Sequence, residues 1–122
     1  MKIGITSTGK NLDAEVDQRF GRCKYFIIVD TDSMEFEAIS NENIMASGGA
    51  GIQAAQTIAN KGVEAVVTGN VGPNAFQTLS TAGIKVYTGA SGKIREVIDK
   101  CKKGVLKETE APNVGSHSGM RR

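Results

Sequence analysis

Apolar and polar residues alternate from Lys2 to Ser7, which predicts a first β-strand at the beginning of the chain. The denser apolar run Lys24 to Asp30 predicts a second strand, apolar enough to be central in a sheet. Asp30-Thr31-Asp32-Ser33 reads as a turn, and Met34 to Ile39 as a third, half-exposed strand. In that strand Glu35 and Glu37 point outward, which suits an edge that must resist pairing with other chains. The first three strands thus form a meander.

After Ser40 the period changes. Ile52, Ala55, Ile58 and Ala59 recur at helical spacing until Gly62 supplies a stop. A strand from Glu64 to Thr68 follows at once. Pro73 stands where the first position of a helix belongs, Phe76, Leu79 and Ala82 form its buried stripe, and Gly83 ends it. Ile84 to Tyr87 is the next strand. Ser91 is the expected cap of a third helix with the stripe Ile94, Val97, Ile98 and Cys101, closed by Gly104. The segments 62–69 and 83–89 are one helix-to-strand unit used twice, as successive right-handed crossovers require. The order is β-β-β-α-β-α-β-α. Residues 1–106 make one α/β domain, and 107–122, with no sustained periodicity, are expected to form a flexible tail.

Composition narrows the function. Fifteen Lys and Arg against thirteen Asp and Glu leave a formal charge of only +2, so nucleic-acid binding has no concentrated basic face to rest on. No apolar run approaches the roughly eighteen residues of a membrane span. Two cysteines, Cys23 and Cys101, are too few for a secreted disulfide scaffold and fit a reducing, cytoplasmic setting.

In such a sheet, helices that follow strands begin at the carboxyl edge, where open α/β sheets bind ligands. The loops holding Gly49 and Gly51, Gly69 and Gly72, and Ser91 and Gly92 gather there if the central strands are parallel. Glycine-started helices offer unpaired amides and a positive dipole end to an anion, and Arg19, Arg22 and Lys93 add full positive charge. On the plainer reading, the same glycines only permit tight turns and helix packing.

More specific chemistries fail on their own requirements. Gly49-Ala50-Gly51-Ile52-Gln53-Ala54 matches a dinucleotide fingerprint, but it does not directly follow a strand, and no acidic residue ends the next one. Gly89-Ala90-Ser91-Gly92-Lys93-Ile94 lacks the spacing and following hydroxyl of a phosphate-binding P-loop. The first strand contains no carboxylate for two-metal chemistry. The one histidine, His117, falls in the tail, away from any nucleophile. Asp13, Glu15 and Asp17 read as solvated loop charges.

The two thiols differ. Cys101 lies on the apolar stripe of the third helix, roughly 15 Å from the carboxyl edge by helix rise, and is expected to be buried. Cys23 sits between Arg22 and Lys24, where a thiolate is electrostatically favoured and able to bind a soft metal or an iron-sulfur centre. Its alternative role is a small core residue at the start of a strand.

Arg19-Phe20-Gly21-Arg22-Cys23 with Phe26, Gly69-x-x-Gly72-x-x-Ala75 with Leu79, Gly83-Ile84-x-Val86, and Gly89-Ala90-Ser91-Gly92 with Val97 occur in that order. Over residues 1–106 this resembles the dinitrogenase iron-molybdenum cofactor biosynthesis family. The resemblance implies a three-layer α/β/α, ribonuclease-H-like fold with a mixed five-stranded sheet. It also implies a carrier, not a catalyst, for an iron-sulfur or iron-molybdenum cofactor precursor. Arg19 stands where many members have histidine, and the segment from Met45 to Gly51 lacks the histidine that some carry. Cluster binding then rests on Cys23, with His117 or a second subunit as candidate helpers and the glycine loops and arginines holding an anionic cofactor. Cofactor-assembly or cluster-acceptor proteins are the implied partners. A metal-free module for small anions or metabolites and a protein-docking domain are the alternatives, and oligomeric state is left open.

Overall fold

The computed structural model describes residues 1–41 and 50–111. Eight elements follow in order: β1 (Lys2–Ser7), β2 (Tyr25–Asp30), β3 (Phe36–Ser40), α1 (Ala50–Asn60), β4 (Ala65–Val67), α2 (Pro73–Thr81), β5 (Lys85–Tyr87) and α3 (Ile94–Lys102). The five strands form one sheet in the order β3-β2-β1-β4-β5. Only β2 is reversed: β1 and β3 both pair with it antiparallel, while β1-β4 and β4-β5 are parallel. The sheet is therefore mixed, and the carboxyl ends of β1, β3, β4 and β5 share one edge.

The sheet is buried on both sides. Phe26, Ile28, Val66 and Val86 face α1 and α2, where Ala55, Ile58 and Leu79 meet them. Ile3, Ile5, Ile27 and Val29 face the other way, against Ile94, Val97 and Ile98 of α3. This explains why Phe26-Ile27-Ile28-Val29 is a continuous apolar run: successive side chains enter two different cores. Three layers result, with α1 and α2 on one face and α3 on the other.

The helix stops are those written in the sequence. Gly62 and Gly83 take positive φ, +74° and +79°, a conformation that side chains disfavour. After α2, Gly83 N donates to Ser80 O at 3.0 Å and Ile84 N to Leu79 O at 3.0 Å. These close the last turn and send the chain into β5.

Several strand ends shift by one residue from expectation, and two larger differences have a local cause. β3 begins at Phe36 instead of Met34, because Met34 N donates to Asp30 O at 2.8 Å and Asp30 N to Glu35 O at 2.9 Å. Those bonds hold residues 30–35 as a closed turn, with Met34 at φ +65°. The segment read as tail from residue 107 begins with contacts to β5: Glu108 pairs antiparallel with Tyr87, and Thr109 N donates to Val86 O at 2.6 Å. His117 lies outside the described residues.

Candidate functional site

The connection from β1 to β2 carries most of the candidate side chains, and short-range bonds shape it. Gly9 N donates to Ser7 Oγ at 3.1 Å, Asp13 N to Asn11 Oδ1 at 2.9 Å, and Thr8 N to Glu15 O at 2.9 Å. These are the local turns that serine and asparagine favour. The loop then returns to its own strand, where Asp17 N donates to Thr6 O at 2.9 Å. The buried Thr6 hydroxyl is hydrogen-bonded to Asp17 O at 2.6 Å and to Thr68 Oγ1 at 2.8 Å.

From there it crosses the carboxyl ends of the parallel strands. Asn70 N donates to Gln18 O at 2.8 Å, Phe20 N to Asn70 O at 3.1 Å, and Gln18 Nε2 to Ala90 O at 2.9 Å. Gly69 has to be glycine at this crossing, because a Cβ would lie 2.8 Å from the backbone of Gln18. Gly89 N closes the neighbouring loop by donating to Gly69 O at 2.9 Å. The strand ends carrying Gly69, Gly72, Ser91 and Gly92 thus gather at one edge with Arg19.

The loop also decides which helix can receive a ligand. Ile94 N donates to Ala14 O at 2.8 Å and Arg95 N to Leu12 O at 2.9 Å, while Lys93 N donates to Glu96 Oε1 at 3.2 Å. The opening amides of α3 are spent on the protein itself. The N-cap of α3 is Lys93, not Ser91 as expected, and its φ of −76° and ψ of 148° are extended. The Glu96 carboxylate, 2.8 Å from where a Gly92 Cβ would be, adds negative charge beside Ser91 and Gly92.

The start of α2 is built differently. Its N-cap is Gly72, extended at φ −85° and ψ 175°, with no side-chain cap bond, followed by Pro73 at the first position. Neither α1 nor α2 has an acidic residue in its first turn. Gly51 of α1 sits so close to α2 that a Cβ there would be 3.4 Å from Ala75 Cβ. Between the two helix beginnings lies a cleft of about 160 Å³ lined by Phe20, Gly51, Ile52, Gly72, Asn74 and Ala75. Phe20 is held against Phe26, ring centres 5.5 Å apart. Two positive helix ends therefore meet at a small cleft with an aromatic wall.

Arg19 belongs to the loop segment that forms this wall. Its guanidinium is largely exposed, and the buried Asp17 carboxylate accepts from Arg19 N at 3.0 Å and from Nε at 3.4 Å. Arg22 is exposed. Gly49 lies outside the described residues. Phe20, Ile52, Asn74 and Ala75 are cleft residues that no sequence pattern singles out as such. The one signal for them is Pro73 at a helix start with no Ser, Thr, Asp or Asn before it.

Cys23 corrects the electrostatic expectation. Its flanks Arg22 and Lys24 are exposed, but Cys23 itself is fully buried in the core with Phe20 and Phe26. Burial, with Asp17 nearby, pushes its thiol up to about 12, so the thiolate is disfavoured. Asn41 Nδ2 lies 3.8 Å from the sulfur and donates to the carbonyls of Gly21 at 3.0 Å and Cys23 at 2.9 Å. Among the described residues, no group of three or more His, Cys, Asp or Glu side chains is placed to hold a metal ion. Cys101, half-buried on α3, is also raised by desolvation.

Residues 1–104 match the family of dinitrogenase iron-molybdenum cofactor proteins. An uncharacterized protein of Methanocaldococcus jannaschii is 36% identical over 113 residues, covering 90% of this chain and 92% of its own. The apo form of the orange protein from Desulfovibrio gigas superposes with a TM-score of 0.89 at 40% identity, over 92% of this chain and 95% of that one. A NifB-like protein of Thermotoga, of the DUF35 family, superposes with a TM-score of 0.77 at 43% identity, over 88% and 91% of the two chains. Among the described residues, no helix is long and apolar enough to cross a membrane.

Proposed function

The chain belongs to the dinitrogenase iron-molybdenum cofactor family, and we propose that it is a small non-enzymatic carrier of an anionic iron-sulfur or iron-molybdenum cofactor precursor. The observation that carries this reading is the meeting of two helix N-termini, neither with an acidic first turn, at the cleft beside Phe20. The partial positive charge of the helix ends holds an anion without covalent ligation. The cleft's roughly 160 Å³ is well below the ~300–1,000 Å³ of pockets that engulf a drug-sized ligand. A cofactor therefore sits across the mouth, anchored by one anionic corner in the cleft. Arg19 and Arg22 supply full charge from the adjoining loop, and Cys23 supports Phe20 from the core instead of ligating metal.

The strand order with only β2 reversed supports reading the fold as ribonuclease-H-like. Cofactor-assembly or cluster-acceptor proteins are the partners that a carrier requires, and the cytoplasm is the compartment that fits two unpaired thiols. The small cleft also favours one other reading, a metal-free module for an oxyanion or a carboxylated metabolite.

Anaerobic addition of iron, sulfide and molybdate, followed by gel filtration, separates the two. A chromophore co-eluting with wild-type protein and retained by Cys23→Ala supports the carrier with non-covalent hold. A colourless protein that still gives saturable amide shifts at Asn74 and Ala75 with phosphate supports the metal-free module. A chromophore lost with Cys23→Ala in a folded protein would make Cys23 a ligand and overturn its purely supporting role.

A further inference from the structure

The two faces of the sheet are covered unequally. Among the described residues, α1 and α2 lie on one face, whereas on the other α3 is the one helix, joined by loop residues such as Leu12, Val16 and Leu106. Five strands at about 4.8 Å spacing span roughly 20 Å, about the width of two packed helices. Among the described residues, one helix leaves a flank uncovered, and that flank is over β3, since Ile27 and Val29 of β2 are fully buried against α3. Register places Phe36 opposite Val29 and Ala38 opposite Ile27, hence on the α3 side. Phe36 is nonetheless 42% exposed, and Ala38 is half-buried.

A groove of about 780 Å³ runs along this side of α3. Arg95, Ile98, Asp99 and Lys102 line it at the i, i+3, i+4 and i+7 spacing of a single helix face, joined by Met34 and Val105. Val105 is 61% exposed. Four cationic side chains line the groove against two carboxylates. Asp99 pairs with Lys103 at 3.0 Å, and Arg95 pairs with Asp13 at 3.3 Å. Among the described residues, neither Lys100 nor Lys102 makes an ion pair with a carboxylate.

We infer that this groove docks an acidic amphipathic helix of a partner protein, seated beside α3 as the second helix of the layer. Its apolar stripe covers Met34 and Val105, and its carboxylates meet Lys100 and Lys102, the helix-in-groove mode of recognition. The groove and the cleft at α1 and α2 lie on opposite faces of the sheet. A docked partner therefore leaves the cleft open, and docking is independent of what the cleft binds.

The test uses the full chain, isotopically labelled, and a blocked peptide of about 14 residues with leucines at helical spacing and glutamates between them. The control peptide carries lysines in place of the glutamates. Saturable amide shifts confined to Met34, Ile98, Lys102, Val105 and their neighbours are expected with the acidic peptide only. Lys100→Glu combined with Lys102→Glu, both at exposed positions, should weaken binding at least about tenfold. The far-ultraviolet dichroism of that variant should be unchanged. No saturable shift in the groove, an equal response to the lysine peptide, or unaltered affinity in the double variant would overturn the proposal. Self-association in sedimentation that Val105→Glu abolishes would assign the groove to a second copy of the chain and overturn it equally.

Discussion

Asn70 is bonded to the single carbonyl of Gln18 through both of its nitrogens, the backbone N at 2.8 Å and Nδ2 at 3.2 Å. That contact joins the β1–β2 loop to the loop between β4 and α2, and it places Phe20 at the cleft. The cleft's aromatic wall depends on this seam.

The seam's tightest point is Gly69. Gly69→Ala would put a methyl group 2.8 Å from the Gln18 backbone, so one loop has to move. We expect a loss of roughly 1–3 kcal/mol in urea unfolding, with amide shifts at Gln18, Phe20 and Asn70. Full stability with unshifted amides would mean that the loops are not joined as described.

Cys23 gives a pH-dependent signature. Its folded-state thiol is raised from 9.0 to about 12, so between those values the native state holds a proton that the unfolded chain has lost. The stability this contributes is full below about pH 9 and declines as pH rises toward 12, with a slope approaching ~1.4 kcal/mol per pH unit. Cys23→Ala should flatten the wild-type curve over that window. Parallel wild-type and variant curves would show that the thiol is not buried.

Reactivity should separate the thiols as well. At pH 8, a thiol reagent should modify the half-buried Cys101 in the native protein and reach the buried Cys23 only on unfolding. Mass spectrometry of the labelled peptides gives the result directly, and rapid native labelling of Cys23 would contradict its enclosure.

The segment after α3 also bears weight. Thr109 N donates to Val86 O at 2.6 Å, and Thr109 Oγ1 accepts from Thr88 N at 3.2 Å. Thr109→Pro removes both bonds, the first with the N–H and the second with the hydroxyl, and should cost roughly 1–3 kcal/mol. Hydrogen exchange at Thr88 should quicken. Unchanged exchange there would show that the contact is not held in solution.

Most of the scaffold is legible from Pro73, Gly62, Gly83 and the two apolar periods, because each is a local signal with a local cause. The twice-used helix-to-strand unit likewise corresponds to α1-β4 and α2-β5. The site is only half legible. Residues 8–23 have no period, so nothing in them announces that the carbonyls of Leu12 and Ala14 take the first amides of α3. That long-range pairing leaves Ser91 and Gly92 beside a spent helix end and moves the candidate site to Gly51 and Gly72. Cys23 misleads for a similar reason: its neighbours in sequence are cations, but at the entrance to a strand alternate residues face opposite ways. Arg22 and Lys24 face solvent while the thiol enters the core.

The central claim, that the α1–α2 cleft holds an anion through helix ends, is tested most directly by Asn74→Asp. Asn74 is exposed at the second position of α2. A carboxylate there favours the helix by ~0.3–1 kcal/mol and repels an anionic ligand. Affinity for the reconstituted cluster, or for phosphate if the site is metal-free, is expected to fall at least about tenfold while thermal stability holds or rises. Undiminished binding in a variant of undiminished stability would contradict the claim.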